Sequence, residues 1–452
     1  MDINVIILAG GKGSRMKSDC PKILMNLAGK PVIDHILTVV AKINPLKIEI
    51  VIPDNKIILD YLTNKKINFS IQKIPKGTAH ALLTGLSKYS DSDKILVING
   101  DVPLIRAQTL EYFIKNFYND EKISFISTLL ENPINYGRVI RDEHNNFIKI
   151  VEERDLTGLY KNIKEVNTGI YLSNSKEFLK RLANVNNLND QKEYYLTDAL
   201  RPSDVVYLDK NSDEYLGINT LEELSHIAKI IWLERAKNFM RQGVNILDPQ
   251  TFYVDENVKI EPNVVIYPNV FISGQTNISS HTIIYSGCRV VDSYIGENCI
   301  ILDNTLIESS EIGNNCMVGP MAHLRPKTIL KGDNRIGNFV ELKKVIIGKK
   351  TKAPHLTYLG DAIIGEAVNI GCGTITCNYD GFNKNETIIG DNVFVGSDVQ
   401  FVAPVKIGSN VVIAAGSTVT ENVPDNALAI ARSKQVNKLN WFAKWFEKLR
   451  KQ

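Results

Sequence analysis

The feature of this sequence that most restricts its fold is a six-residue repeat of apolar side chains in the C-terminal half. The repeat runs from about Val258 to Val423, and glycine often follows the apolar residue. Its clearest stretch consists of Ile389, Val395, Phe401, Ile407, Ile413 and Val419. A period of six matches neither the 3.6-residue period of a helix nor the two-residue period of an amphipathic strand. It predicts a solenoid whose stacked strands and turns bury one apolar core. The alternative is a β-sandwich with coincidental spacing.

Two polar segments break the repeat, residues 353–361 and residues 376–384. Because an interruption costs core contacts, we interpret both as insertions that build a site on a rigid rod. His355 in the first segment is a candidate general base, since imidazole titrates near neutral pH. Spacing alone favours a structural role for a lone histidine. The repeat as a whole resembles the hexapeptide acyltransferases, whose left-handed parallel β-helices assemble as trimers.

The N-terminus reads as a buried strand, residues 4–8, that runs into a glycine-rich loop. Glycines let the backbone approach a phosphate group closely, and Lys12, Arg15 and Lys22 lie on or just after the loop. The spacing fits neither a Rossmann fingerprint nor a Walker A loop. A glycine loop alone fits a structural turn as well as a phosphate site. The whole stretch, through Lys22 after Pro21, resembles the signature of the sugar-phosphate nucleotidyltransferases.

The rest of the N-terminal region alternates short apolar runs with helical patterns, which predicts an α/β domain with a largely parallel, Rossmann-like sheet. Ligands of such sheets lie beyond the carboxyl ends of the strands, and Asp101 follows the apolar run 94–99. A carboxylate there could cap a loop. Beside a triphosphate-binding loop we favour a Mg²⁺ site, because Mg²⁺ prefers one or two protein oxygens together with phosphate oxygens.

A capping box at residues 220–223 opens a predicted helix that runs to about Arg241 and stops near Gly243. We therefore divide the chain into a nucleotidyltransferase domain (1–219), a linker helix (220–249), a β-helix domain (250–432) and a basic aromatic tail (433–452). A tail helix would place Trp441, Trp445 and Leu449 on one face. We expect it to dock on its own trimer, and contact with an anionic membrane surface is the alternative.

Composition excludes several classes of protein. The chain is 44% hydrophobic and 23% charged with a net charge of +3, which is typical of a globular enzyme and too weakly basic for a nucleic-acid partner. We expect no leader peptide and no membrane span, and hence a cytoplasmic enzyme. The six cysteines lack metal-ligand spacing and suit a reducing compartment.

Further motifs occur in a characteristic order along the chain. They comprise Gln72, Gly77-Thr78, Gly100-Asp101, Tyr136-Gly137-Arg138, Val151-Glu152, Asn167-Thr168-Gly169, the segment Glu193 to Asp198, and Gly217-Ile218-Asn219. Followed by a hexapeptide domain, this order resembles the bifunctional GlmU family over essentially the full chain. The resemblance implies acetylation of glucosamine 1-phosphate by acetyl-CoA, and then transfer of UMP from UTP to N-acetylglucosamine 1-phosphate. The rival hypothesis keeps the nucleotidyltransferase and treats the β-helix as structural.

The resemblance also implies roles for individual residues. The residues that would bind the uridine nucleotide are Leu8, Ala9, Gly10, Gly11, Gln72, Gly77 and Thr78, with Asn99 and Gly100 beside them. The residues that would bind N-acetylglucosamine are Gly137, Glu152 and Asn167. Asp101 and Asn219 would hold Mg²⁺. Lys22 and Arg15 would act on the phosphates. Asn99 and Pro75 depart from the usual family residues, and the segment 198–219 is shorter than usual.

On the β-helix, the resemblance makes His355 the base and Glu341 the residue that orients it. Arg325 and Lys343 would bind the sugar phosphate, and Tyr358, Asn369 and Asn378 would complete that site. The acetyl-CoA groove would be lined by Cys372, Asn378, Tyr379, Ser397, Ala415 and Arg432.

Overall fold

The computed structural model describes residues 2–11 and 13–450, so Lys12 of the glycine loop lies outside the described residues. The chain forms two compact units, Met1–Ile231 and Trp232–Gln452. The first is an α/β domain and the second is a parallel β-helix with a terminal helix. Both predicted classes of fold are therefore confirmed.

A nine-stranded sheet forms the centre of the first unit. Its strands are β1 Asn4–Leu8, β2 Lys47–Pro53, β3 Asn68–Gln72, β4 Lys94–Asn99, β5 Ser124–Leu129, β6 Arg138–Arg141, β7 Phe147–Val151, β8 Glu165–Asn174 and β9 Val205–Asp209. Their order is β9-β5-β8-β4-β1-β2-β3, and β6 pairs with β8 and β7. Along that path β8 is antiparallel to both neighbours and the other pairs are parallel, so the sheet is largely parallel as predicted.

Helices cover both faces of this sheet. They are α1 Val32–Lys42, α2 Lys56–Asn64, α3 Thr78–Leu86, α4 Ala107–Phe117 and α5 Ser175–Leu182. Val5 and Ile7 of β1 pack in the cluster that contains α1, α2 and α4, whereas Ile6 and Leu8 pack in the cluster that contains α3 and α5. A strand covered on both faces needs a continuous apolar run, which is why β1 does not alternate.

Shorter elements complete the first unit. A hairpin pairs Asn26–Leu27 with Lys30–Pro31, and 3₁₀ turns occupy Ser14–Met16, Lys22–Leu24, Glu153–Asp155, Gly158–Asn162, Leu196–Ala199 and Ser212–Tyr215. Helix α6, Leu221–Arg241, follows. Its start is the predicted capping box: the Thr220 hydroxyl accepts from the Glu223 N–H at 3.2 Å, and the Glu223 carboxylate accepts from the Thr220 N–H at 3.0 Å.

The β-helix consists of three parallel ladders of short strands that enclose the predicted apolar core. The first ladder contains Asn245–Ile246, Val265–Ile266, Ile283–Ile284, Ile300–Ile301, Met317–Val318, Asn369–Ile370, Phe394–Val395, Val412–Ile413 and Leu428–Ala429. The second contains Phe252–Val254, Val270–Ser273, Arg289–Val291, Leu306–Glu308, His323–Leu324, Ile375–Cys377, Gln400–Val402 and Thr418–Val419. The third contains Lys259–Ile260, Asn277–Ile278, Tyr294–Ile295, Glu311–Ile312, Ile329–Leu330, Thr387–Ile389 and Val405–Ile407. A 3₁₀ turn at Pro249–Thr251 lies near the start.

Two longer strands, Arg335–Ile347 and Lys352–Ile364, run through all three ladders and pair with each other along their length. The prediction of an insertion at residues 353–361 is therefore wrong. That segment lies inside the second long strand, and its inward residues Ala353 and Leu359 are fully buried. Partners such as Arg335 and Lys352 lie 17 positions apart, one short of three hexads. The shorter coil shifts the phase of the repeat, and this shift resembled an interruption in the sequence.

The second predicted insertion is confirmed. Strand partners on either side of it, such as Ile375 and Gln400, lie 25 positions apart, whereas most other partners are 17 or 18 apart. The extra residues form a loop closed by a bridge between Tyr379 and Lys384.

Candidate active sites

A cavity of about 500 Å³ opens beyond the carboxyl ends of β1 and β4 in the α/β unit. The predicted nucleotide and metal residues meet here although they are scattered over more than 200 positions of sequence. The cavity is lined by Leu8, Ala9, Gly10, Gly11, Arg15, Lys22, Gln72, Gly77, Thr78, Asn99, Gly100, Asp101 and Asn219, among others. Parallel strands end at the same edge of a sheet, and this geometry gathers the loops that follow β1 and β4.

Two glycines in this cavity lie against neighbouring atoms at the place where a Cβ would stand. A Cβ on Gly10 would lie 2.4 Å from Oε1 of Gln72. Gly77 has φ of +104°, and a Cβ there would lie 2.5 Å from the carbonyl oxygen of Tyr194. The glycine positions therefore bring bare backbone to the cavity wall, where a ligand can approach the N–H groups.

Four side chains converge at one end of the cavity. The Lys22 ammonium lies 2.6 Å from Oδ2 of Asp101 and 3.4 Å from Oδ1 of Asn219. The Arg15 guanidinium donates to the same Asn219 oxygen at 2.9 Å, and to Oδ1 of Asn135 at 3.1 Å. The Lys22 and Asp101 side chains are only 14% and 23% exposed. Lys22 alone contacts the Asp101 carboxylate, and both cations contact the Asn219 amide oxygen, so the excess positive charge suits a polyphosphate.

A second cavity, of about 270 Å³, adjoins the first and shares Arg15, Asp101 and Asn219 with it. It contains the three predicted sugar residues, Gly137, Glu152 and Asn167. The Thr197 hydroxyl donates to Oε1 of Glu152 at 2.8 Å, while burial raises the pKa of the Glu152 carboxyl.

Asn167 is held in place by a buried tyrosine of the second cavity. Its side-chain amide donates to the Tyr171 hydroxyl at 2.6 Å. Burial raises the pKa of Tyr171, so this hydroxyl stays protonated at neutral pH. The second cavity is therefore a polar site whose side chains are oriented by one another.

The residues that depart from the family pattern lie where the two cavities meet or at the rim of the first. Asn99 lines both cavities, and its amide lies against Gly169, where a Cβ would come within 1.9 Å of the amide nitrogen. Pro75 lines the first cavity and a neighbouring one of about 320 Å³. Both departures therefore lie on the walls of the first cavity.

Sequence reasoning missed several lining residues. Arg154, Gln191 and Glu193 line the first cavity, and Tyr171 and Thr197 line the second. Glu193 and Thr197 belong to the segment Glu193 to Asp198, which is one of the motifs that occur in a characteristic order along the chain. That motif was the signal that could have identified both residues. No pattern in the sequence singles out Arg154.

On the β-helix, His355 belongs to a column of residues at the corner between the first and second ladders. Backbone hydrogen bonds stack successive turns of this column. Gly373 N–H donates to the Leu356 carbonyl at 2.8 Å, Asp398 N–H to the Cys372 carbonyl at 2.7 Å, and Gly416 N–H to the Ser397 carbonyl at 2.8 Å. We call this column the His355 edge; it comprises Asn338, His355, Cys372, Ser397 and Ala415.

The far end of the His355 edge is extended by an arginine. Nη1 of Arg432 donates to the Ala415 carbonyl oxygen at 2.6 Å. Cys372, Ser397, Ala415 and Arg432 are all exposed. Four of the six residues predicted for the acetyl donor therefore form one exposed line that leads away from His355.

The predicted contact between Glu341 and His355 is absent from the structure. Oε1 of Glu341 instead accepts from Arg325 at 2.7 Å, and Nδ1 of His355 lies 3.2 Å from Oδ1 of Asn338. The strand register explains the difference, because Asn338 is paired with His355 whereas Glu341 is paired with Tyr358. Asn338, which sequence reasoning missed, is the side chain that contacts His355.

Positive charge gathers beside this edge on the second ladder. Lys343 follows Arg325 on the next coil, and the ammonium of Lys384, from the inserted loop, lowers the pKa of Lys343. Arg325 adds to this effect. Glu341 contacts Arg325, and the Asp361 carboxylate acts on Lys343 and Lys384, so the three cations keep an excess of positive charge that suits an anion.

The remaining predicted residues are distributed over different parts of the β-helix. Asn378 donates to Oδ2 of Asp361 at 2.6 Å, and Tyr379 lies 61% exposed in the inserted loop. Asn369 is on the first ladder, whereas Tyr358 is on the second. One chain therefore does not bring Asn369 into the cationic group.

Comparison with known proteins finds matching families for both halves of the chain. Residues 5–158 match the model of the MobA-like NTP transferase domain, residues 249–335 that of the GMPPB C-terminal domain, and residues 386–421 that of the bacterial transferase hexapeptide with six repeats. The chain is 41% identical over 447 residues to the bifunctional protein GlmU of Carboxydothermus hydrogenoformans, covering 96% of this chain and 98% of that one. The chain belongs to the bifunctional GlmU family.

Further members of the family show the same relation. The GlmU protein of Thermosipho melanesiensis is 42% identical over 442 residues and that of Thermoanaerobacter pseudethanolicus is 42% identical over 443. These matches cover 97% and 96% of each chain, respectively. A solved UDP-glucose pyrophosphorylase complexed with UDP-glucose is 20% identical, with a TM-score of 0.41, and covers 52% of this chain and all of that one. The three GlmU proteins, by contrast, match both halves of this chain.

Proposed function

We propose that this protein makes UDP-N-acetylglucosamine by two reactions. Its β-helix acetylates glucosamine 1-phosphate with acetyl-CoA, and its α/β unit then joins the product to UMP from UTP and releases pyrophosphate. The observation that carries this proposal is the presence in one chain of two separate polar sites. One is the Lys22–Asp101 centre and the other is the His355 edge with its neighbouring cations.

The first site suits phosphoryl transfer. A phosphate oxygen of N-acetylglucosamine 1-phosphate attacks the α-phosphorus of UTP, and the bond to the pyrophosphate oxygen breaks. No protein nucleophile is required, because the attacking group is already an anion. Lys22 and Arg15 neutralise charge that develops on the phosphates, and the second cavity holds the sugar through Glu152 and Asn167.

The same site has oxygens suited to Mg²⁺. Among the residues that the structure describes, no group of three His, Cys, Asp or Glu side chains could hold a metal ion. Asp101 and Asn219 nevertheless present two oxygens to one cationic group, Lys22, and Mg²⁺ takes one or two protein oxygens together with phosphate oxygens. These two residues would hold it. When bound, Mg²⁺ would neutralise charge on the triphosphate.

The second site suits acyl transfer. The amine of glucosamine 1-phosphate attacks the thioester carbonyl, its proton passes to His355, and CoA leaves as the thiol after taking a proton. Nδ1–H of His355 donates to the side-chain oxygen Oδ1 of Asn338, which leaves the lone pair of Nε2 free to accept the proton. The substrate phosphate lies against Arg325, Lys343 and Lys384, and CoA extends along the His355 edge toward Arg432.

We also propose a homotrimer in the cytosol. Asn369 and Tyr358 lie on different ladders, and a neighbouring chain could bring such residues into one site. All six cysteines are free thiols, as a reducing compartment requires. A monomer by light scattering at micromolar concentration that retains full acetyl transfer would contradict the trimer.

The test of the function is incubation with glucosamine 1-phosphate, acetyl-CoA, UTP and MgCl₂, with CoA and pyrophosphate followed separately by chromatography. Both products are expected, and pyrophosphate should require CoA release unless N-acetylglucosamine 1-phosphate is supplied. Pyrophosphate from that substrate with no CoA release in any mixture would favour a structural β-helix instead.

A further inference from the structure

Helix α7, Trp441–Arg450, presents an apolar face that no part of the described chain covers. None of its residues is buried. At ~100° per residue, five large apolar side chains fall within an arc of about 140°. They are Trp441 (59% exposed), Phe442 (69%), Trp445 (50%), Phe446 (44%) and Leu449 (49%). A contiguous apolar surface of this kind marks an interaction site.

Basic side chains surround this face. Lys448 and Arg450 lie beside the two borders of the apolar arc, and Lys444 lies on the opposite side of the helix, where Glu447 is the single acidic residue of α7. The Arg450 guanidinium lies 5.1 Å from the ring centroid of Phe446. Just before the helix, the Lys438 ammonium lies 5.0 Å from the ring centroid of Trp441. The apolar face is therefore bordered by cations at both ends of the helix.

The segment before α7 can carry the helix away from the β-helix. Residues 433–440 form neither helix nor strand, and all of them are exposed. At ~3.3 Å per residue, these eight positions reach up to about 25 Å. Val436 and Leu439 on this segment are 77% and 85% exposed, so the segment is not packed against the chain either.

We propose that α7 binds the surface of an anionic phospholipid bilayer and lies in the plane of the interface. Trp and Phe side chains favour the boundary between headgroups and acyl chains, and lysines and arginines are attracted to anionic headgroups. A ten-residue helix is about 15 Å long, half the thickness of the hydrocarbon core, so α7 lies on the surface. No helix among residues 2–11 and 13–450 is long and apolar enough to cross a membrane.

Charge favours a lipid surface over a second copy of this chain as the partner of the apolar face of α7. A copy would have to offer an apolar groove with an acidic rim, and the chain carries a net charge of +3. An anionic bilayer offers acyl chains and negative charge together, which matches both sides of the helix. This inference does not depend on either proposed reaction.

The test is co-sedimentation of the full-length protein with vesicles of phosphatidylcholine alone or with 40% phosphatidylglycerol. We expect at least a 20-fold stronger partition onto the anionic vesicles at 50 mM salt. The preference should fall at least tenfold at 500 mM salt, because screening shortens the range of the attraction. Failure of the wild type to bind anionic vesicles at low salt, or equal binding to both kinds, would overturn the proposal.

Two variants separate the contributions of the two sides. Replacing Lys444, Lys448 and Arg450 by Gln should weaken anionic binding about 100-fold, at roughly fivefold per charge. Replacing Trp445 and Phe446 by Ser should abolish binding to both kinds of vesicle. Neither variant touches the proposed active sites, so CoA and pyrophosphate release should match the wild type.

A matched control guards against a general effect of surface hydrophobicity. Leu188 in the α/β unit is 89% exposed, and Leu188→Ser should leave vesicle binding unchanged. Light scattering without vesicles measures the oligomeric mass and so tests whether α7 binds a second copy of the chain instead. If Trp445→Ser/Phe446→Ser lowers the oligomeric mass, α7 docks on another copy of the chain and the lipid proposal is wrong.

Discussion

Removing the Lys22 ammonium should stop uridylyl transfer and spare acetyl transfer. The ammonium lies 2.6 Å from Asp101, on a side chain that is only 14% exposed. At an effective dielectric constant of ~20, a cation interacts with an anion ~4 Å away by about 4 kcal/mol. The transition state places more charge on the departing pyrophosphate than the ground state does, so most of this term acts on the rate. We expect Lys22→Ala to lower pyrophosphate release about 10²- to 10³-fold.

The assay measures pyrophosphate release from UTP and N-acetylglucosamine 1-phosphate, together with CoA release from the same preparation. Lys17→Ala removes an exposed lysine from the same segment and should change neither rate by more than about twofold. CoA release from Lys22→Ala should match the wild type, since the two sites lie in separate units and share no side chain. A decrease in pyrophosphate release of less than tenfold would refute the argument that this charge stabilises the transition state.

Three further predictions concern the other groups. His355→Ala should abolish CoA release but leave pyrophosphate release from N-acetylglucosamine 1-phosphate intact; wild-type CoA release would show that another group is the base. Glu341→Gln should lower the KM for glucosamine 1-phosphate severalfold with little change in kcat, because Arg325 loses its competing carboxylate; a kcat loss equal to that of His355→Ala would contradict the observed contact. Burial raises the pKa of Glu152, so folding favours its protonated form and its ionisation costs stability as pH rises through the folded pKa. Glu152→Gln should therefore raise the thermal midpoint at pH 8 and leave it nearly unchanged at pH 4; a lower midpoint at pH 8 would refute this.

Much of the fold could be predicted because its determinants are local. The hexad repeat places one apolar residue inward on each face of the coil. The residue type at each position therefore predicts whether that position is buried. The buried strand Asn4–Leu8 and the capping box at Thr220 are likewise short segments whose residue types encode their conformation. Reading them requires no knowledge of distant contacts.

The residues of the nucleotide cavity could be named from sequence, but their contacts could not. Asn219 meets Lys22 across 197 positions of sequence, and the fold of the whole unit sets that approach. Arg154 reaches the same cavity from a 3₁₀ turn that carries no recognisable motif. Proximity of this kind depends on how strands are ordered in the sheet, which no local pattern specifies.

The sequence by itself determined the apolar core of the β-helix, the glycine loop of the α/β unit and the residue types at both sites. Only the tertiary structure decided that residues 353–361 continue a strand, and that Asn338 rather than Glu341 contacts His355. Both outcomes follow from the pairing of Arg335–Ile347 with Lys352–Ile364, which places Asn338 beside His355 and Glu341 beside Tyr358. A coil one residue short of three hexads still buries its apolar positions, so the core tolerates it. Which outward side chains meet across two coils is set by the register of the paired strands, and no local residue pattern specifies that register.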